Sequence, residues 1–237
     1  MTWSIVAHDP ETQSFAVAVA TCNFAVGASC PFVRAGVGAV STQSMTNRYL
    51  GPAILDALER GLSPEAALRS ALAGDDGAGL RQVHVVDRHG RTAAWTGRHC
   101  VTWCGSDQAP SVSVAGNMLA SPAVVADTLA AMAAPGSLEQ RMMTAMLAGE
   151  AAGGDRRGRQ SAALRLVTTE DFPDLDLRVD DHADPLPELA RLLTLWTRDV
   201  QPGLLTRPGR ANPAGQTDLD AIEAGWKARG LSIRLTR

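Results

Sequence analysis

The feature that most constrains this 237-residue chain is its opening run, Thr2-Trp3-Ser4-Ile5-Val6-Ala7-His8-Asp9. Trp3, Ile5 and Ala7 alternate with Ser4, Val6 and His8, and the run is too apolar for a surface strand. Asp9-Pro10 signals a turn, and Phe15-Ala16-Val17-Ala18-Val19-Ala20 returns. Two such runs across a polar turn predict a β-hairpin. Chain ends are normally loose and wet, so a terminal strand destined for a sheet interior draws attention to Thr2. Thr2 is small enough to permit removal of Met1. It would then carry a free α-amine beside its own hydroxyl. That amine, with an unperturbed pKa of about 7.7–8.0, can act as a base near neutral pH. Nucleophile and base would then share one residue. The plainer reading is a threonine that only starts a strand.

Bulk properties narrow the field. Hydrophobic residues make up 45% of the chain, enough for a core. A net charge of −3 gives no general attraction to nucleic acid or to an anionic membrane surface. No basic n-region followed by an apolar stretch is visible, and no run approaches a membrane span of about 18–20 residues. A cytoplasmic protein is expected, with Cys22, Cys30, Cys100 and Cys104 as free thiols. Cys100-x-x-x-Cys104 is looser than usual structural zinc spacing, so no metal and no cofactor are expected. Of 22 basic residues only Lys227 is a lysine, which excludes a lysine-assisted site near the front.

Patterning predicts strands over 31–34 and 37–43, then helices over 52–60 and 64–73, the second opened by Ser63-Pro64-Glu65. A hairpin over 81–97 turns at Gly90, and a strand over 112–117 follows. Helices run from Ser121-Pro122 to about 134 and from Ser137 to about 149. Strands at 161–167 and 174–180 and an amphipathic helix at 187–200 complete one domain, residues 1–200. Residues 201–237 read as a Pro/Gly-rich linker and short extension, with a helix over 219–228 and a strand over 232–235. Strand runs separated by helix pairs indicate an α+β layered fold. A four-layer αββα sandwich, two antiparallel sheets between helical layers, accommodates that order, though periodicity alone does not select it.

Three segments together resemble the DUF1028 family of the N-terminal-nucleophile (Ntn) hydrolase superfamily: Thr2-Trp3-Ser4-Ile5-Val6-Ala7, Gly116-Asn117-Met118-Leu119, and the loop Gly153-Gly154-Asp155-Arg156-Arg157-Gly158-Arg159-Gln160 running into Ser161-Ala162-Ala163. The resemblance spans about residues 2–197. It implies the αββα fold and a candidate chemistry, with no established substrate. In related Ntn enzymes a threonine hydroxyl attacks an amide carbonyl, the α-amine takes its proton, and an ester forms and is hydrolysed.

A developing oxyanion needs donors placed in advance. Asn117, at a strand end after a glycine, is the candidate; a turn-forming asparagine is an equal alternative. Thr21, Ser41, Thr42 and Gln43 lie at strand ends and could orient Thr2. Asp155, Arg157, Arg159 and Gln160 form a substrate-binding candidate, because arginine grips carboxylates bidentately; a salt-bridged structural loop is the alternative. Helix residues Val124, Val125, Leu129 and Met132, with Leu138, Met142, Met143 and Met146, predict an apolar face and a homodimer; full use of that face inside the monomer is the alternative. Two functions remain open. One is an amidohydrolase acting on a small, carboxylate-bearing amide. The other is a catalytically silent Ntn-like fold that binds a small ligand or a protein.

Overall fold

The computed structural model describes residues 2–228, 230, 231, 234 and 235. Two compact units divide the chain, Met1–Thr194 and Leu195–Arg237. The first holds two antiparallel sheets. One has six strands in the order β10-β9-β2-β1-β8-β7, where β1 is Thr2–Asp9, β2 Ser14–Thr21, β7 Gly105–Ala109, β8 Val112–Asn117, β9 Ser161–Val167 and β10 Leu175–Val179. The other has four strands, β3-β4-β5-β6, being Pro31–Arg34, Gly38–Ser44, Arg81–Asp87 and Thr92–Thr96. The predicted opening hairpin is β1 and β2, paired from Trp3–Ala20 to Asp9–Ser14.

Among the described residues there are six α-helices. Helices α1 (Leu50–Glu59) and α2 (Pro64–Ala73) pack on the four-stranded sheet. Their Leu50, Ile54, Leu58, Leu68 and Leu72 close over Val40, Val83 and Val85. Ser63 caps α2 by accepting the Ala66 N–H at 3.3 Å, as its sequence predicts. Helices α3 (Ala123–Ala131) and α4 (Leu138–Ala151) pack on the six-stranded sheet. Phe15 and Val17 point the other way, into a cluster with Ala39 and Val86. That leaves Ala16, Ala18 and Ala20 beneath α4, where small side chains permit close approach. Gly149 is the tightest point: a Cβ there would meet Thr128 Oγ1 and lie 2.9 Å from Trp3 Nε1.

The two sheets touch through β1, β2 and β8 on one side and β4 and β5 on the other. Both faces of β1 are therefore covered, and every residue from Thr2 to His8 is buried. The methionines and valines of α3 and α4 from which a homodimer was expected are buried within the chain, except half-buried Leu129. They cover their own sheet.

Helix α5 (Pro185–Asp199) buries Leu186, Leu189 and Leu193. In the second unit a six-residue 3₁₀ helix, Gln201–Thr206, occupies what reads as linker, and α6 is Leu219–Ala228. Of the strand expected at 232–235, residues 232 and 233 lie outside the described residues, and 234 and 235 are not in a strand. Among the described residues no helix is long and apolar enough to cross a membrane.

Candidate functional site

Thr2 is 5% exposed, at the end of an internal strand. Its register partner on β8 is Asn117. On the other side lies Thr21, the last residue of β2, whose Oγ1 is 3.3 Å from Thr2 Oγ1. Asn117 and Thr21 are each 2% exposed. Thus the candidate nucleophile stands between two buried polar residues contributed by its two neighbouring strands.

Alternation directs Thr2, Ser4 and Val6 of β1 toward the second sheet, and Ser113, Ala115 and Asn117 of β8 likewise. Gln43 of β4 and Gln82 and His84 of β5 meet them. All three are fully buried. Ser4 Oγ donates to Gln43 Oε1 at 2.8 Å and lies 2.7 Å from His84 Nε2. His84 Nδ1 is 3.1 Å from Ser113 Oγ. Because the Ser4 proton goes to Gln43, His84 donates from Nε2 and accepts at Nδ1 from Ser113; the tautomer follows from its partners. Burial pulls the His84 pKa down to about 3, so the ring is neutral and is a structural link. Gln43 Nε2 reaches Gln82 Oε1 at 2.9 Å and Thr2 O at 3.4 Å. Gln82 Oε1 also receives Asn117 Nδ2 at 2.9 Å. A continuous hydrogen-bonded chain thus runs Ser113–His84–Ser4–Gln43–Gln82–Asn117, with Thr2 at its open end.

Sequence reasoning named Thr2, Thr21, Gln43 and Asn117, and these are brought together. It missed Ser4, Gln82, His84 and Ser113. Their signal was a polar residue at every second position of otherwise apolar strands. Thr42 requires correction. One residue from Gln43, it lies on the opposite face of β4, and its Oγ1 donates to Asn47 O at 3.2 Å. It does not face Thr2.

The arginine-rich loop lies against the same strand ends. Gln160 N donates to Thr21 O at 3.0 Å, and Cys22 N donates to Asp155 Oδ2 at 2.8 Å. Asp155, its side chain wholly buried, also accepts from Arg157 N at 2.9 Å and from Arg157 Nη2 at 3.1 Å. Arg157 Nη1 reaches Asn23 Oδ1 at 3.3 Å, and Asn23 Nδ2 lies 3.4 Å from Thr21 Oγ1. A relay of contacts therefore links Arg157 through Asn23 and Thr21 to Thr2. Arg159 pairs with Asp184 at 2.6 Å and with Glu150. Both carboxylates raise its pKa, Asp184 the more. Gln160 Nε2 donates to Asp181 at 3.1 Å. The salt-bridged alternative thus describes Arg157 and Arg159, whose guanidiniums already face carboxylates. Arg156 instead donates to Thr102 O at 3.3 Å and has no carboxylate partner among the described residues.

Backbone geometry marks the same place. Met118, immediately after Asn117, has φ +58°, a left-handed conformation that costs a non-glycine residue on the order of 1 kcal/mol or more. Its N–H donates to Val101 O at 2.8 Å, and the next N–H donates to Trp103 O at 2.9 Å. Gly154, at φ +51°, has the left-handed conformation that favours glycine. Among the described residues no group of three or more His, Cys, Asp or Glu side chains could hold a metal ion. The four cysteines are free, and burial pushes the Cys30 thiol up to about 11.

A crystal structure of protein SPO2555 from Silicibacter pomeroyi, itself of family DUF1028, superposes with TM-score 0.85 at 30% identity, covering 92% of this chain and 96% of that one. Anbu (ancestral beta-subunit) from Yersinia bercovieri gives TM-score 0.39 at 12% identity, over 87% of this chain and 98% of that one, too distant to carry an argument. No curated protein matches. The family model covers residues 2–189, and the chain belongs to the family of unknown function DUF1028.

Proposed function

We propose that this protein is an Ntn-type amidohydrolase with a four-layer αββα fold, whose nucleophile is Thr2 after removal of Met1. The observation that carries the reading is Thr2 itself: a buried threonine at the end of an internal strand, its hydroxyl 3.3 Å from Thr21 Oγ1, backed by a polar network on both sheets. A threonine that only starts a strand needs no such surroundings. Buried polar groups are costly unless paired, and six of them are assembled behind this one residue.

In the proposed reaction Thr2 Oγ attacks the carbonyl carbon of a small amide while the α-amine accepts the hydroxyl proton. The C–N bond breaks and the amine leaves with that proton. Water then hydrolyses the ester, releasing the acid and restoring Thr2. No cofactor is required. The carboxylate-binding role expected of Arg157 or Arg159 fits Arg156 better, because that guanidinium has no carboxylate opposite it among the described residues. Arg157 and Arg159 then serve to hold the loop against Thr21.

The test is a panel of small amides, acidic and neutral, offered to protein whose first residue is Thr2. Release of amine that disappears in Thr2→Ala supports the reading. Amide cleavage that survives Thr2→Ala overturns Thr2 as the nucleophile, and cleavage of no amide by the Thr2-first protein favours the ligand-binding alternative.

A further inference from the structure

We infer that Asn117 serves the Thr2 α-amine as a hydrogen-bond acceptor through Oδ1, with Gln82 as the positioning residue that fixes the carboxamide's orientation. This rests on the proposal that Thr2 becomes the first residue.

The two ends of a carboxamide are told apart by their partners. Gln82 Nε2 lies 2.7 Å from Gly116 O, 3.1 Å from Gly105 O and 3.0 Å from Thr96 Oγ1. Two of those are backbone carbonyls, which only accept, so this end of Gln82 is the NH₂. The other end, Oε1, is an acceptor, and it takes Gln43 Nε2 and Asn117 Nδ2, each at 2.9 Å. Gln43 is fixed independently, since its Nε2 also lies 3.1 Å from Ala115 O. Turning Asn117 over would set two carbonyl oxygens against each other at that distance. Its NH₂ therefore points at Gln82, and among the described residues its only other acceptor contact is Thr2 O at 3.5 Å. Both amide hydrogens are directed at the protein. Oδ1 is left with no hydrogen-bond partner among the described residues.

Thr2 and Asn117 are register partners, so their side chains share one face of the sheet. An acceptor there suits the N–H groups of a terminal amine, not an oxyanion. It stabilises the ammonium form and orients the amine beside its own hydroxyl. The expectation that Asn117 supplies an oxyanion donor is replaced by this assignment.

The sign of a pKa shift separates the two roles. The chain is prepared with Thr2 first, by cleaving a fusion immediately before it. The ¹⁵N-labelled α-amine is then titrated by NMR in the parent, in Asn117→Ala and in Gln82→Met. Loss of an acceptor lowers the amine pKa, by about half a unit to one unit for Asn117→Ala. Gln82→Met, which frees the carboxamide to rotate, lowers it by less. A merely structural Gln82 leaves it unmoved. An unchanged or raised pKa in folded Asn117→Ala overturns the assignment. If that variant does not fold, Gln82→Met decides by the same sign. The titration uses no substrate, so a silent Thr2 and a misassigned Asn117 are distinguishable failures.

Discussion

The layer between the two sheets has two halves that share strands β1, β4 and β5, and they differ in kind. At one end Val6, Phe15, Val17, Ala39, Val86 and Val167 form an apolar cluster, each 3% exposed or less. At the other, Ser4, Gln43, Gln82, His84, Ser113 and Asn117 are as deeply buried and are joined by hydrogen bonds. Strand β1 passes from one to the other in two steps, Val6 to Ser4 to Thr2. Burying an apolar side chain stabilises by about 1.5–3 kcal/mol. A buried hydrogen bond contributes only about 0.5–1.5 kcal/mol net, and losing one partner costs more than making the pair gains. Stability alone would favour apolar residues throughout the layer. The polar half adjoins Thr2, the proposed nucleophile, and that is where a structure accepts such a cost.

The contrast is tested first by separating reactivity from stability. A β-lactone is an electrophile that an activated threonine opens to an ester, leaving the ring oxygen as a hydroxyl. Thr2→Ala is expected to abolish this acylation while leaving the melting temperature nearly unchanged, as mass and thermal unfolding will show. Phe15→Ala should do the reverse. It costs about 3–5 kcal/mol in denaturant unfolding, yet acylation of the remaining folded protein at low temperature should proceed normally. Equal damage to both properties in either variant breaks the division.

A third expectation concerns acid. His84 has a folded pKa of about 3 against 6.5 when unfolded, because burial disfavours its charged form. The unfolded chain therefore takes up the proton first, and stability falls as pH drops below 6.5. The slope approaches about 1.4 kcal/mol per pH unit until the folded pKa is reached. His8, also lowered by burial, acts in the same direction. His84→Gln retains a donor for Ser4 and should flatten unfolding free energy against pH between 6.5 and 4. The smallest effect is expected at Arg159, whose side chain is 47% exposed and whose partner Asp184 is 56% exposed. Arg159→Ala should cost no more than about 1 kcal/mol.

The opening hairpin, the Ser63 cap and strands Val112–Asn117 and Ser161–Val167 were legible because period and turn chemistry agree there. Strand β7, Gly-Ser-Asp-Gln-Ala, was not. It is a mostly exposed edge strand held to β8 by backbone pairing, and its side chains carry no alternation. Thr2, Asn117 and the Asp155 loop were found by motif. The network behind them was hidden because alternation normally separates core from solvent, and here both faces of β1 are inside. Ser4 and His84 therefore look like solvent-facing positions. Thr42 failed for the converse reason: proximity in sequence to Gln43 says nothing about parity.

The most direct test of the central claim is to map the β-lactone adduct on protein expressed without a tag. The account predicts a single ester on the Thr2 hydroxyl, confined to chains that have lost Met1 and absent from Thr2→Ala. Adduct persisting in Thr2→Ala, or chains that retain Met1 and are labelled equally well, would contradict it.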